Sequence, residues 1–315
     1  MPSKTPSRLA SKPSVIPVSG ETKEAKGQAQ HSASSPDPGL YIVSTPIGNM
    51  RDITLRALDI LSGVEEILAE DTRTARKLLT AHGIAGKLTA YHDHNGAARR
   101  PELLDRLTDG AALALISDAG TPLVSDPGWK LAKEAVEAGI QIVPIPGPSA
   151  VLAGLVTSGL PSDRFMFAGF LPAKSGARRR SLEEVSDTPA TLIFYESAGR
   201  LSSSLADMAK VFGETRPAAL ARELTKLFEE TRRGSLGELA TFYTENGAPK
   251  GEIVVLVGPP EETGPPSEDL LDAALLEALE HQPTKAAANS VAAQFGLPKR
   301  DVYQRALALK TGADG

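Results

Sequence analysis

The sequence predicts an α/β protein made of two α/β domains in series, with a small helical segment appended. Three observations carry this expectation. From Leu40 onward, short apolar runs alternate with helical patterns. The alternation restarts once, at RFMFAGFL (164–171), after a Gly-Leu-Pro-Ser break. Beyond the proline-rich PPEETGPP (259–266) only helix-period segments remain. Strands alternating with helices make mostly parallel sheets covered on both faces, and a proline-rich stretch reads as a linker. The expected organisation is a disordered tail over 1–38, an α/β domain over 39–158, a second over 159–260, and a helical segment over 267–312.

Residues 1–38 are rich in Ser, Pro, Lys, Gln and Ala and lack apolar clusters, so ordering them would bury too little to offset the lost entropy. In the first domain, LYIVST (40–45), EILAED (66–71), KLTAYH (87–92), AALALI (111–116) and QIVPI (141–145) read as strands. Helices are expected over 52–62, 74–82, near 101–107, over 129–138 and, strongly apolar, over 149–158. In the second domain, strands are expected at 164–171, 190–196, 218–223, 227–234 and 252–258, with helices over 178–186, 200–212 and 236–245. In the last segment Thr284 is placed to cap a helix, Gly296 to end it and Pro298 to open the next. Two short helices joined by Gly-Leu-Pro resemble a helix-turn-helix, although most such hairpins are only packed helices.

Composition narrows the function. The 315 residues contain no Cys, which excludes disulfides, thiolate metal sites and Cys nucleophiles and fits a reducing, cytoplasmic setting. No apolar run approaches the roughly 20 residues of a membrane span, and the N-terminus lacks a secretory apolar core. A net charge of −5 argues against a globally basic coat, so RNA contact would have to be local.

The chemistry concentrates in three polar loops that follow strands: STPIGN (44–49), SDAGTPLVSDPG (117–128) and PGPSA (146–150). In a parallel sheet all three leave the carboxyl ends of strands and converge on one rim, where open α/β sheets bind ligands. Asp118 can accept from a ribose hydroxyl or an ammonium group. The backbone from Ala119 to Val124 can pair with a polar ligand, and small Ser149 and Ala150 leave room for a flat base. Neither G-x-G-x-x-G nor G-x-x-x-x-G-K-[ST] occurs. The ligand is therefore expected to be a nucleoside with a cationic end rather than a nucleoside triphosphate.

TPIGNMRDIT, AEDTR, SDAGTPLVSDPG, PGPSA, GFLP, ARELTKLFEE and KGEIVVLVG follow one another in an order that resembles the tetrapyrrole-methylase superfamily. Within it the likeness is to the branch that methylates ribosomal RNA, over about 40–310. The chain departs from it in its long N-terminal tail and in Ser44, where Gly is common. The resemblance implies that S-adenosylmethionine binds in a cleft between the domains. It places Pro46, Asp118, Ala119, Gly120, Thr121, Leu123, Val124, Ser125, Ser149 and Ala150 on the donor from one side, with Tyr195, Leu224 and part of 253–256 closing from the other. It further implies a homodimer that methylates the ribose 2′-hydroxyl of a cytidine in the decoding region of 16S rRNA, on the assembled small ribosomal subunit.

Methyl transfer from a sulfonium to a hydroxyl needs orientation, desolvation and removal of the hydroxyl proton, and no metal. Glu223 and Lys226, at a strand end, are the candidate catalytic pair, with Lys226 as a base if burial lowers its pKa; an ion pair across a strand end is the equal alternative. His92 and His94 would share a face of an extended segment, but no third zinc ligand follows. Arg178, Arg179 and Arg180, expected at a helix start where the dipole disfavours cations, are candidate phosphate contacts. Arg73, Lys299 and Arg300 are further candidates, with Arg305 beside the last two. The alternatives are a tetrapyrrole methylase of the same fold, a non-enzymatic ribosome-binding factor, and a metal-dependent phosphohydrolase built on Asp118 and Asp126.

Overall fold

The computed structural model describes residues 35–247, 249–261 and 268–313. Most of the expected tail, the 262–266 part of the expected linker and residue 267 of the expected helical segment lie outside them.

The first domain runs β1 (Gly39–Val43), α1 (Leu55–Gly63), β2 (Glu66–Ala69), α2 (Thr72–Ala81), β3 (Leu88–Ala90), α3 (Asp93–Thr108), β4 (Ala112–Ile116), α4 (Trp129–Glu137), β5 (Ile142–Ile145) and α5 (Ala150–Ser158). Its five-stranded sheet has the order β3-β2-β4-β1-β5, and every pairing is parallel. The central strands are apolar throughout because both faces are covered. Along β1, Leu40 and Ile42 join a core with Leu103 and Leu131, while Tyr41 and Val43 join one with Leu58, Leu61 and Leu79. Successive side chains of a strand point to opposite faces, so one run feeds two cores.

Thr54 caps α1 by accepting from the Ala57 amide, and Asp71 caps α2 by accepting from Arg73. The third helix is longer than the sequence suggested. It starts at Asp93, with Asn95 Oδ1 accepting from the His92 amide, and it contains Pro101. The extended reading of YHDHN is thereby corrected: His92 precedes the helix and His94 lies in its first turn. No cluster of residues suited to a metal occurs among those described.

The second domain runs β6 (Phe165–Phe170), α6 (Ser175–Glu183), β7 (Thr191–Ser197), α7 (Leu201–Phe212), β8 (Pro217–Arg222), β9 (Glu230–Ser235), α8 (Leu236–Glu245) and β10 (Glu252–Val257). Its sheet, β6-β7-β10-β8-β9, is mixed: only β6 and β7 are parallel, and the other pairs are antiparallel. The expected strand over 227–234 starts later, because Leu227 to Glu229 belong to the turn between β8 and β9. One face of this sheet is covered by α6, α7 and α8.

The other face receives α5, which comes from the first domain. Val151 and Leu155 pack with Ile193, Ala219, Ala221, Val254 and Leu256. Gly154 permits the close approach: a Cβ there would lie 3.2 Å from Val254 Cγ1. One side of the apolar 149–158 helix is thus buried on the second sheet while Leu152 and Val156 stay exposed, and the helix joins the domains.

The helical unit comprises α9 (Glu268–His281), α10 (Thr284–Phe295) and α11 (Lys299–Ala313), around its own core of Leu275, Ala288, Val291, Val302 and Ala306. Thr284 is the first residue of α10 rather than its cap; Pro283 precedes it and offers no side-chain bond. Gly296 ends α10 at φ +64°, as a left-handed terminus requires.

Candidate active site

The sheet order puts the carboxyl ends of β4, β1 and β5 side by side, so the three polar loops become neighbours. Thr45 and Gly120 exchange two backbone hydrogen bonds of 2.8 and 3.0 Å. Thr45 Oγ1 donates to the Ser117 carbonyl, and the Ser44 and Thr121 hydroxyls lie 2.9 Å apart. Gly147 packs against Ser44 so closely that a Cβ would sit 2.8 Å from the Ser44 Cβ. The rim is therefore a knitted surface, fixed before any ligand arrives.

The second domain supplies the opposite wall through its register. Antiparallel pairing sets Glu252 opposite Ser197, Ile253 opposite Glu196 and Val254 opposite Tyr195. The start of β10 thus meets the end of β7, next to the end of β6. Between the walls lies a cavity of about 410 Å³. Among the described residues, the non-glycine residues with positive φ are Leu123, Ser125, Glu223 and Thr225. They fall in two loops that border this cavity from opposite domains, and such backbone strain concentrates at functional sites.

Of the residues expected on the donor, Asp118, Ala119, Gly120, Thr121, Val124, Ser125, Ser149, Ala150, Tyr195 and Leu224 line the cavity. Pro46 and Leu123 do not; Ile47 stands where Pro46 was expected, and Leu123 packs into the core under the sheet. Also on the lining are Asp126, Phe170, Glu196 to Ala198, and Gly251 to Val254. Phe170 and Glu196 sit near the carboxyl ends of two parallel strands, so the strand-end rule that located the first three loops would have found them in the second domain too.

The carboxylates on the lining differ in environment. Asp118 Oδ1 accepts from the Asp71 amide at 3.1 Å. Glu196 is buried; its Oε1 accepts from the Ser197 amide and pairs with Arg200, and its Oε2 accepts from Ser204. Glu252 bonds Lys226. Burial pushes the Asp126 carboxyl above the usual range; the Ser117 hydroxyl opposes this and the Asp118 charge adds to it.

Glu223 and Lys226 border the cleft without lining the cavity. Lys226 Nζ donates to Glu223 Oε1 at 2.9 Å and to Glu252 Oε2 at 3.1 Å. Burial alone would lower an ammonium's pKa, but these two bonds outweigh it and hold Lys226 above its ordinary value. The expectation of Lys226 as a base is corrected accordingly: it is a fixed cation. The hydrogen bond from Lys226 in turn keeps the Glu223 carboxyl low.

The arginine cluster divides. Helix α6 begins at Ser175, so the arginines lie past its first turn rather than at its start. Arg178 points inward, 3% exposed, and holds Asp207 Oδ2 at 2.7 Å as well as the Ala173 and Ser203 carbonyls. Its expected phosphate role is overturned, since an anion outside cannot reach a guanidinium that closes α6 onto α7. Arg179 is half-buried and Arg180 exposed. Arg73 is exposed at the start of α2, where it pairs with Asp71. Lys299 and Arg300 are exposed at the start of α11, while Arg305 is tied to Asp272 and Glu268.

Residues 39–240 match the family model "Tetrapyrrole (Corrin/Porphyrin) Methylases", and residues 265–310 match "RsmI C-terminal HTH domain". A protein of Mesorhizobium japonicum named ribosomal RNA small subunit methyltransferase I is 51% identical over 92% of this chain and 98% of its own. This chain belongs to that branch of the tetrapyrrole methylases. An Escherichia coli O157:H7 methylase of the same name is 47% identical over 88% of this chain and 98% of its own. Among solved structures, diphthine synthase superposes with a TM-score of 0.55 at 16% identity, covering 70% of this chain and 89% of that one. The uroporphyrin-III C-methyltransferase of Thermus thermophilus, solved with S-adenyl homocysteine, gives 0.50 at 18% identity, covering 69% and 96%. These two likenesses speak to the fold of the methylase.

The site's own chemistry fits the donor such a methylase takes. Ile47, Ala150, Leu224 and Val254 offer apolar walls for a flat base. Asp118 offers an acceptor for a hydroxyl or ammonium. The cavity's size is that of a small-molecule pocket, which runs from about 300 to 1,000 Å³.

Proposed function

We propose that this methylase carries the methyl group of S-adenosylmethionine to the ribose 2′-hydroxyl of a cytidine in the decoding region of 16S rRNA. The acceptor would be presented on the small ribosomal subunit, and the enzyme would work as a cytoplasmic homodimer. The observation that carries the reading is the cavity itself: two domains close a carboxylate-bearing, largely apolar pocket that has no phosphate cradle.

The donor, when bound, supplies an electrophilic methyl on a positively charged sulfur. The chain supplies the rest. Asp118 holds a donor hydroxyl or ammonium group, and Ser149 and Ala150 leave room for its base. Tyr195 and Leu224 cover the site and exclude water, so the reacting atoms meet in line without a solvent shell. Glu223, Lys226 and Glu252 lock the edge of the cleft as an ion-paired cluster. Arg73, Arg179, Arg180, Lys299 and Arg300 are the cations left to meet the phosphate backbone, which positions the RNA without reading its sequence.

Incubation with labelled S-adenosylmethionine and small subunits lacking the modification tests this, with naked rRNA and a tetrapyrrole precursor in parallel. Label in an alkali-resistant dinucleotide, from subunits, is the expected result. Label on the tetrapyrrole would replace the substrate, and failure to bind the donor would favour a ribosome-binding scaffold.

A further inference from the structure

The ribose reaction needs a proton acceptor, and the sequence-based candidates do not provide one at the cavity. Of the titratable groups on the lining, Glu196 has both oxygens engaged and a cation on one of them. Glu252 is bonded to Lys226, its side chain 72% exposed. Asp118 is fixed by the Asp71 amide beside the donor's expected polar groups. Burial, followed by the charges of Asp126 and Glu252, moves the Tyr195 hydroxyl further from ionisation.

Asp126 differs from all of these. It lies on the cavity wall, and no cation pairs with it among the described residues. Its backbone is held between Ser125 at φ +63° and Gly128 at φ +118°, so the side chain's origin is fixed by the loop. The loop also touches the opposite wall: a Cβ on Gly169 would lie 3.4 Å from Ser125 Oγ. Across that seam stand Tyr195 and Phe170, their rings 5.4 Å apart and edge to face. Beyond that contact Phe170 is 58% exposed on the cavity lining, leaving aromatic surface on which an extruded base can stack. Asp126 shares this lining, close enough to Tyr195 for its charge to act on that hydroxyl.

We propose that Asp126 is the general base of the methyl transfer, taking the proton of the ribose 2′-hydroxyl as that oxygen attacks the donor methyl. The inference rests on the ribose-methylation reading above. The O–C bond forms as the C–S bond breaks, and the S–C electron pair stays on sulfur. The products are the 2′-O-methyl ribose, S-adenosylhomocysteine and a protonated Asp126, which returns its proton to water. Besides burial, the groups that act on its carboxyl are the Ser117 hydroxyl, which lowers it, and the Asp118 charge, which raises it; the Asp126 charge in turn raises Glu70, just past β2, and Tyr195 on β7. Burial is the largest of these influences and raises the carboxyl, so the activity that needs its ionised form is lost as pH falls.

Single-turnover transfer to small subunits, using the full chain and saturating S-adenosylmethionine, tests the proposal. Asp126→Asn is expected to slow transfer by about 100-fold or more, the usual scale for general-base removal. Its donor Kd by calorimetry is expected to stay within about threefold of the wild type, in keeping with a purely chemical role. Asp126→Glu should restore part of the rate and shift the acid limb of the pH profile. A rate within about fivefold of the wild type for Asp126→Asn would overturn the base assignment. So would a loss confined to donor affinity, with the rate at saturating donor unchanged. If the wild-type product is alkali-labile, the ribose reading itself fails, whatever the variants do.

Discussion

Arg178 and Arg180, two residues apart, show how little sequence adjacency says about role. Arg178 is enclosed with Asp207, and removing one member of a buried pair typically costs about 3–5 kcal/mol. Arg178→Ala is expected to lower the unfolding free energy measured in urea by that order while leaving the salt dependence of subunit binding unchanged. Arg180→Ala should do the reverse, reducing the slope of log K against log salt by about 1 without loss of stability. Glu66 is a second buried charge. Burial pushes its carboxyl up, but hydrogen bonds from Thr89, Arg106 and Lys87 prevail and bring it down from 4.5 to about 2. The folded pKa lies below the unfolded one, so the stabilisation is complete above pH 4.5 and is lost as pH falls toward about 2. Glu66→Gln should flatten that part of the pH dependence in urea unfolding, at the cost of lower stability at neutral pH.

At the scale of elements, α5 does the most to relate the two domains. It ends the first βα rhythm, yet its buried side belongs to the second sheet. Gly154→Leu would force side-chain atoms into Val254 and Leu256, each within 3.5 Å of a Cβ placed there. Overpacking of this kind costs about 1–3 kcal/mol. Because the strain falls where the cleft walls meet, donor affinity in calorimetry should drop along with stability. The helical unit behaves differently. Its core of Leu275, Ala288, Val291 and Val302 is self-contained. A chain ending at Glu261 should therefore keep the wild-type donor Kd and weaken only on the small subunit; a lost donor site would show that the unit supports the cleft.

For the whole molecule, function depends on two sheets of different construction, joined through α5, that wall one cavity. The first is wholly parallel and presents three loops on one rim, whereas the second is mixed and brings strands β7 and β10 to the same place in opposite directions. A parallel sheet alone would give an open crevice; the second wall makes it a pocket. The paired strained loops, 123–125 and 223–225, come from different domains. Each is anchored in its own domain, Leu123 in the first core and Glu223 by Lys226 and the Glu252 amide, and the Asn49 amide donates to Thr225 Oγ1 across the cleft.

The α/β class, the restart near Arg164, the three first-domain loops and most of the strand cores were legible in the sequence. Local periodicity and Gly-Pro punctuation encode them directly, as in AALALI running into SDAGTPLVSDPG. The residues that resisted reading are those whose state depends on partners far along the chain. Nothing near Arg178 announces Asp207, and nothing near Lys226 announces that Glu252 will keep it charged. The second wall, with Phe170 and Glu196 sharing a cavity with the loop that carries Asp126, arises from strand register and domain closure. Sequence determines the elements and their apolar faces, because those follow from short-range geometry. Only the tertiary structure decides which charges are buried, paired or free, because burial and Coulomb interaction act between groups that the chain brings together only by folding.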